Sequence, residues 1–235
     1  MRIALISSKG GVGKSALAIT LAAEAHVRGR STLLVDGDHG QGTCLLWAET
    51  AGSMGKPAPS TLAASAGMHR PDQLPKVAVH FDVVVVDTPG RLSDVQRSAL
   101  MFADLALVPT GPSASDAWAL ASALEAIRDA QTIRTALKAA IVLTRLQSRT
   151  AVGKAARPGL EGVGVPVLRT TLSYRVAWQE CVAVGQGVTT YDRGEACLEA
   201  RRLYDEIESI LGVQDHAQDV ALTETAPSRR RTRRG

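Results

Sequence analysis

Short apolar runs alternate along the chain with longer stretches in which apolar residues return every three or four positions. The runs at 2–6, 31–35, 81–86, 105–109, 139–144 and 165–168 are short and mostly rich in β-branched residues, and each reads as a strand. "FDVVVVD" is apolar almost throughout, the pattern of a strand covered on both faces. The stretches 14–28, 94–102, 115–133, 174–184 and 195–211 carry helical periodicity. Strands alternating with helices predict an α/β fold, a mostly parallel twisted sheet with helices on both faces. The Gly-, Pro- and Ser-rich segment 52–67 reads as a surface loop with little regular structure. Periodicity lapses after residue 211, so the expected organisation is one domain over 1–211 and a flexible tail over 212–235.

Composition changes this picture in only two places. A chain of 235 residues, 45% of them hydrophobic, can bury a real core within one domain. Its formal charge of +4 comes from the end: "SRRRTRRG" holds Arg229, Arg230, Arg231, Arg233 and Arg234, leaving 22 basic residues against 23 acidic ones elsewhere. Such a run is either a solvated tail or a contact for a polyanion. Cys44, Cys181 and Cys197 lack CxxC spacing, so neither a disulfide framework nor a zinc site is indicated. "MRIALISS" is too short for a signal peptide and no later run reaches membrane-spanning length, so a cytoplasmic protein is expected.

The candidate chemistry begins where the first strand ends. "SSKGGVGKSA" places Gly10, Gly11, Val12 and Gly13 before Lys14, Ser15 and Ala16 at the opening of a helix. Glycines let the backbone approach phosphate oxygens, and amide N–H groups with the helix N-terminus favour their charge. Lys14 is suited to the β- and γ-phosphates of a nucleotide and Ser15 to Mg²⁺. Ser8 occupies the position where the strict G-x-x-x-x-G-K-[ST] pattern has its first glycine, so the motif departs from the ordinary phosphate loop. The second strand ends in "DGD", with Asp36 and Asp38, and the third in "DTPG", with Asp87, Thr88, Pro89 and Gly90. Ligands of open α/β sheets lie at the carboxyl ends of strands, where these groups converge. An aspartate closing an apolar strand suits Mg²⁺, directly or through water.

"KGGVGKS", "LLVDGD" and "VVVVDTPG", in this order, resemble the deviant Walker A ATPases, the group of ParA partition proteins, MinD and nitrogenase iron protein. That resemblance implies a slow ATPase using ATP and Mg²⁺. It gives Lys9 the role of reaching across an ATP-bound homodimer to the partner subunit's phosphates, and makes Lys9, Lys14 and Asp38 the catalytic set. Asp38 would orient the attacking water and touch the metal, Asp87 would hold Mg²⁺ through water, and Thr88, Pro89 and Gly90 would form the second switch. Members usually read D-x-D-P-Q, whereas this chain has His39 and Gly40 before Gln41. On resemblance, Thr144, Arg145, Leu172 and Ser173 would line the adenine.

Within the group, no cysteine follows Asp87 closely, which sets the iron protein aside, and "APSRRRTRRG" lacks the bulky apolar face of a membrane-anchoring helix. "VPTGPSASDAWAL" and "PVLRTTLSYRVAWQECVAVGQGV" resemble small, ParF-like ParA proteins. The chain begins directly at the first strand, so the form without an N-terminal helix-turn-helix domain is expected. The implied function is a switch for plasmid or chromosome partition that dimerises on ATP, binds DNA without sequence preference on the nucleoid, and is stimulated by a ParB-like centromere-binding partner. Arg169, Arg175 and the five tail arginines are the DNA candidates. A conjugation or transfer accessory ATPase, a MinD-like positioner and a non-hydrolysing nucleotide binder stand as the alternatives.

Overall fold

The computed structural model describes residues 1–213. Among them seven strands form one sheet: β1 (Arg2–Leu5), β2 (Thr32–Asp36), β3 (Ser60–Ala63), β4 (Val83–Asp87), β5 (Leu105–Thr110), β6 (Lys138–Leu146) and β7 (Val167–Ser173). The order is β3-β2-β4-β1-β5-β6-β7 and every pair is parallel. The helices are α1 (Lys14–Val27), α2 (Thr43–Ser53), α3 (Leu74–Ala78), α4 (Asp94–Phe102), α5 (Ala114–Ile133), α6 (Ala151–Ala156), α7 (Ala177–Ala183), α8 (Val188–Tyr191) and α9 (Glu195–Leu211).

The unbroken apolar runs follow from burial on both faces. Val84 and Val86 join one core with Leu100, Leu124 and Ile127 of α4 and α5. Their neighbours Val83 and Val85 join the other with Leu17 and Leu21 of α1, Trp47 of α2, and Leu203 and Tyr204 of α9. Each such valine contributes about 1.5–3 kcal/mol relative to exposure, so no position of β4 is free to be polar until Asp87. Arg28, at the end of α1, fastens that helix to α9. Its guanidinium pairs with Glu24 at 2.9 Å and Asp205 at 2.7 Å and lies 4.5 Å from the centre of the Tyr204 ring.

Three local expectations change. The segment 52–67 is not structureless: it contains the end of α2 and all of β3, which pairs along β2 from Ser60 to Ala63. β3 is a four-residue edge strand with only Thr61 β-branched, and its partner strand, not its propensity, makes it extended. The last strand runs over Val167–Ser173 instead of stopping at 168, and the following helix is confined to Ala177–Ala183. Carboxylates of α9 finish the outer edge of β7: Glu206 accepts from the Arg169 and Thr170 amides at 2.7 and 3.0 Å, and Glu199 from the Ser173 amide at 2.9 Å. This covers an edge that would otherwise offer donors to another chain. Arg229, Arg230, Arg231, Arg233 and Arg234, with the expected tail beyond residue 213, lie outside the described residues.

Candidate functional site

The carboxyl ends of β1, β2 and β4 meet at one side of the sheet, with Asp36 and Asp87 in register on adjacent strands. From β1 the chain enters the glycine loop. Gly11 and Gly13 have φ of +76° and +88°, which a side chain would strain, and Gly13 in the left-handed region starts α1. Gly10, Gly11 and Gly13 are exposed while Lys14, behind them, is buried. The loop is fastened from three directions. Thr144 donates to the Val12 carbonyl at 3.0 Å, Arg145 to the Gly11 carbonyl at 2.7 Å, and Ser8 to the Ala119 carbonyl of α5. Arg145 adopts φ of +55°, and its guanidinium lies 5.9 Å from the centre of the Tyr174 ring.

Lys9 does not extend into solvent. Its ammonium meets Asp116 Oδ1 at 2.6 Å and Ser115 Oγ at 2.9 Å, both in the first turn of α5. Asp116 also accepts from the Ser113 amide at 3.0 Å and closes a capping box with Ser113. Burial pushes the Asp116 carboxyl up, but the bonds from Lys9 and Ser113 outweigh it and hold it below its ordinary value.

Asp36 organises the loop between β2 and α2. Its carboxylate accepts from the Asp38 amide at 3.0 Å and caps α2 through the Cys44 and Leu45 amides at 2.9 and 3.1 Å. Asp38, half-buried, is thereby fixed just beyond the end of β2, and its carbonyl accepts from the Gly42 amide at 2.7 Å. Gly37 is required between them: a Cβ there would lie 2.7 Å from the Asp87 carbonyl oxygen. His39 is exposed, in keeping with a solvated loop residue.

Asp87 is buried, and its Oδ1 has no hydrogen-bond partner. Burial raises its pKa to about 6 against the opposing pull of Lys14 and Ser15. A buried carboxylate oxygen left without a donor is suited to a cation or its water. The segment 88–90 lies against the glycine loop. Thr88 donates to the Leu5 carbonyl at 2.5 Å, and a Cβ on Gly90 would stand 2.9 Å from Gly10 Cα. Gln96 of α4 ties the two segments, donating to the Ser7 and Pro89 carbonyls at 2.7 Å each.

Beside the loop opens a cavity of about 370 Å³. Thr144, Arg145, Leu172 and Ser173 all line it, together with Tyr174 and Trp178, and so do Gly11, Gly13 and Ala16. Arg175 reaches its rim and pairs with Glu199 at 3.4 Å, while Arg169 lies apart from the cavity, exposed on β7. The predicted loop, aspartates and second cavity wall are therefore brought together. Asp116, Ser115 and Gln96 were not singled out from the sequence. The S-x-x-D pattern at 113–116 marks a helix cap, but nothing local connects it to a lysine 107 positions earlier.

Residues 3–188 match the family described as the CobQ/CobB/MinD/ParA nucleotide binding domain. The chain is similar to a maintenance of carboxysome distribution protein A from Halothiobacillus neapolitanus, 33% identical over 89% of this chain and 94% of that protein. It is 28% identical to a Protein ParA from Rhizobium radiobacter, over 78% of this chain and 82% of that one. Its fold resembles the septum site-determining protein MinD of Pyrococcus horikoshii, solved with Mg-ADP, with a TM-score of 0.71 and 19% identity over 92% of this chain and 99% of that one.

Proposed function

Because the chain belongs to the CobQ/CobB/MinD/ParA nucleotide-binding family, we propose that it is an ATPase whose two nucleotide states switch it between a free subunit and a DNA-bound homodimer that distributes a cargo. The observation that carries this reading is Lys9. It is a second cation at a phosphate loop already served by the buried Lys14, and it sits at the surface beside the exposed Gly10 and Gly11. One bound nucleotide needs no cation there. A polyphosphate buried between two subunits does, since each side must supply charge to offset its desolvation.

In this reading Gly10 to Ala16 hold the phosphates and Lys14 neutralises them. Thr144, Arg145, Leu172 and Ser173 form the wall against adenine. Asp38 orients the attacking water, and Thr88 to Gly90 report the γ-phosphate to α4 through Gln96. Ser15 and Asp87, with Asp38 nearby, fit Mg²⁺, because the orphaned Asp87 oxygen needs a cationic or hydrated partner. When bound, the ion offsets charge on the phosphate oxygens. Hydrolysis is expected to be slow without a partner, so that the bound state lasts long enough to be read.

The cargo reading leans on the relatives. The name of the Halothiobacillus protein concerns carboxysome distribution, and that likeness is greater in identity and coverage than the one to Protein ParA. A carboxysome is accordingly the first cargo class to test and a plasmid or chromosome the second, each through an adaptor that stimulates hydrolysis. No helix among the described residues is long and apolar enough to cross a membrane. The test is binding to nonspecific duplex DNA and to anionic liposomes with ATP, ADP or no nucleotide. DNA binding that requires ATP is expected. Binding indifferent to nucleotide would refute the switch, and ATP-dependent preference for liposomes would move the protein to membrane-surface positioning.

A further inference from the structure

The charge of the folded body is unevenly distributed. Positions 145–175 hold six of the 22 basic residues found in 1–213 and one of the 20 acidic ones, Glu161. Folding gathers this segment at one margin of the sheet. The residue that follows α6, Arg157, ties this segment to β7 by donating to the Leu168 and Arg169 carbonyls at 2.6 and 3.1 Å. Lys154 stands one turn before Arg157 on α6, and Arg149 just precedes the Thr150 cap of that helix. Arg149, Lys154 and Arg169 are exposed, and among the described residues none of their side chains makes an ion pair or hydrogen bond. Among the other arginines Arg28, Arg97, Arg134, Arg175 and Arg201 have carboxylate partners, while Arg70, Arg91, Arg193 and Arg202, outside this segment, are also exposed and make no ion pair among the described residues. Glu206 accepts the Arg169 and Thr170 amides on its two oxygens, and its charge also acts on the Arg169 guanidinium without pairing with it directly.

We infer that the α6–β7 margin, through Arg149, Lys154 and Arg169 with Arg157 behind them, is a surface for the sugar-phosphate backbone of duplex DNA within the folded domain, separate from the arginine tail. The inference rests on the DNA-bound reading above and assigns it a place. Exposed like charges in one segment with few acids among them repel one another, and a polyanion relieves that repulsion while releasing its own counterions. β7 extends about 20 Å from Val167 to Ser173, enough to follow several phosphates. A membrane fits less well. α6 has six residues and one exposed bulky apolar side chain, Val152, which is too little to enter a lipid interface. The margin also adjoins the nucleotide cavity, since Arg145 and Arg175 line that cavity and Arg145 holds the Gly11 carbonyl. A change in the loop on nucleotide binding is therefore transmitted directly to one end of the strip.

The test uses the full chain with Arg149→Gln, Lys154→Gln and Arg169→Gln combined. Controls are a variant with the five tail arginines changed to Gln and one with Lys56→Gln, Arg70→Gln and Lys76→Gln, which removes equal charge near the opposite, β3, margin. Binding to a nonspecific duplex is measured across a salt series, alongside nucleotide affinity and ATP-dependent association. The margin variant is expected to keep nucleotide binding and association, to bind DNA at least about tenfold more weakly, and to show a salt slope shallower by about 2–3 per subunit. The Lys56, Arg70 and Lys76 variant is expected to match the parent. Unchanged DNA affinity in the margin variant, or the same loss in the opposite-margin control, overturns the proposal. If the parent itself binds no DNA in any nucleotide state, the reading beneath it fails instead. Loss of liposome binding with DNA binding intact would assign the margin to anionic lipid.

Discussion

Asp116→Asn is expected to destabilise the nucleotide-free subunit and, in the same molecule, to favour its association on ATP. Asn keeps a side-chain oxygen for the Ser113 amide, so the helix cap largely survives, while the charge that holds Lys9 at 2.6 Å is removed. A hydrogen bond to a charged group contributes about 1.5–3 kcal/mol. The Asp116 side chain is 8% exposed but that of Lys9 is 35% exposed, so solvent screening lowers the value to about 1–1.5 kcal/mol. Loss of negative charge at the start of α5 adds about 0.3–0.5 kcal/mol. For a protein of this size the total corresponds to a fall in Tm of about 3–6 °C. The carboxyl is held below its ordinary pKa, so its contribution is full above the unfolded value of about 3.9 and fades as pH drops through the lower folded value. The difference in Tm between parent and variant is thus expected to be constant near neutrality and to close in acid. Association moves the other way. If Lys9 leaves Asp116 to reach the partner subunit's nucleotide, two such pairs are opened per dimer, at about 1 kcal/mol each. Removing that cost tightens the ATP dimer by about 30-fold, as read by sedimentation at graded ATP. A variant that is less stable and also dimerises more weakly would refute the reasoning, because Asp116 would then be holding Lys9 in its working position.

The two lysines separate cleanly. Lys14→Ala is expected to abolish nucleotide binding by the monomer, whereas Lys9→Ala keeps it and loses ATP-dependent association; equal loss of nucleotide by calorimetry would remove the distinction. Asp87→Asn trades function for stability. Burial raises the Asp87 pKa to about 6, so the ionised form costs the folded state up to about 3 kcal/mol at pH 7, a penalty that appears as pH rises from about 4 to 6. The metal-free variant should melt higher than the parent at pH 7 and equally at pH 4, while Mg²⁺ no longer tightens nucleotide binding. A lower melting point at pH 7 would mean that the carboxylate is stabilised by groups other than Lys14 and Ser15. Gly90→Ala places a methyl 2.9 Å from Gly10 Cα and 3.1 Å from its nitrogen, backbone against backbone. It should cost about 1–3 kcal/mol by overpacking and slow hydrolysis, and parental melting and turnover would show that the second switch stands free of the loop.

The phosphate loop, the aspartates ending β2 and β4, and the alternation of strands with helices were all legible in the chain, because each is written in consecutive residues. Gly11 and Gly13 occupy backbone conformations only glycine takes cheaply, and Val83 to Val86 are all apolar since both faces of β4 are covered. What escaped had its cause elsewhere in the chain. α2 has no side-chain cap of its own because Asp36, on the preceding strand, supplies it, and β3 is extended because β2 lies beside it. The sequence determined the glycine loop, its flanking strand and helix, and with them the family's nucleotide-binding domain. Only the tertiary structure decided where Lys9 rests, what joins the second switch to the loop, and which unpaired arginines share a margin. The first two are contacts across 107 and 89 positions, set by the order of strands in the sheet, and no local pattern of charge or hydrophobicity encodes that order.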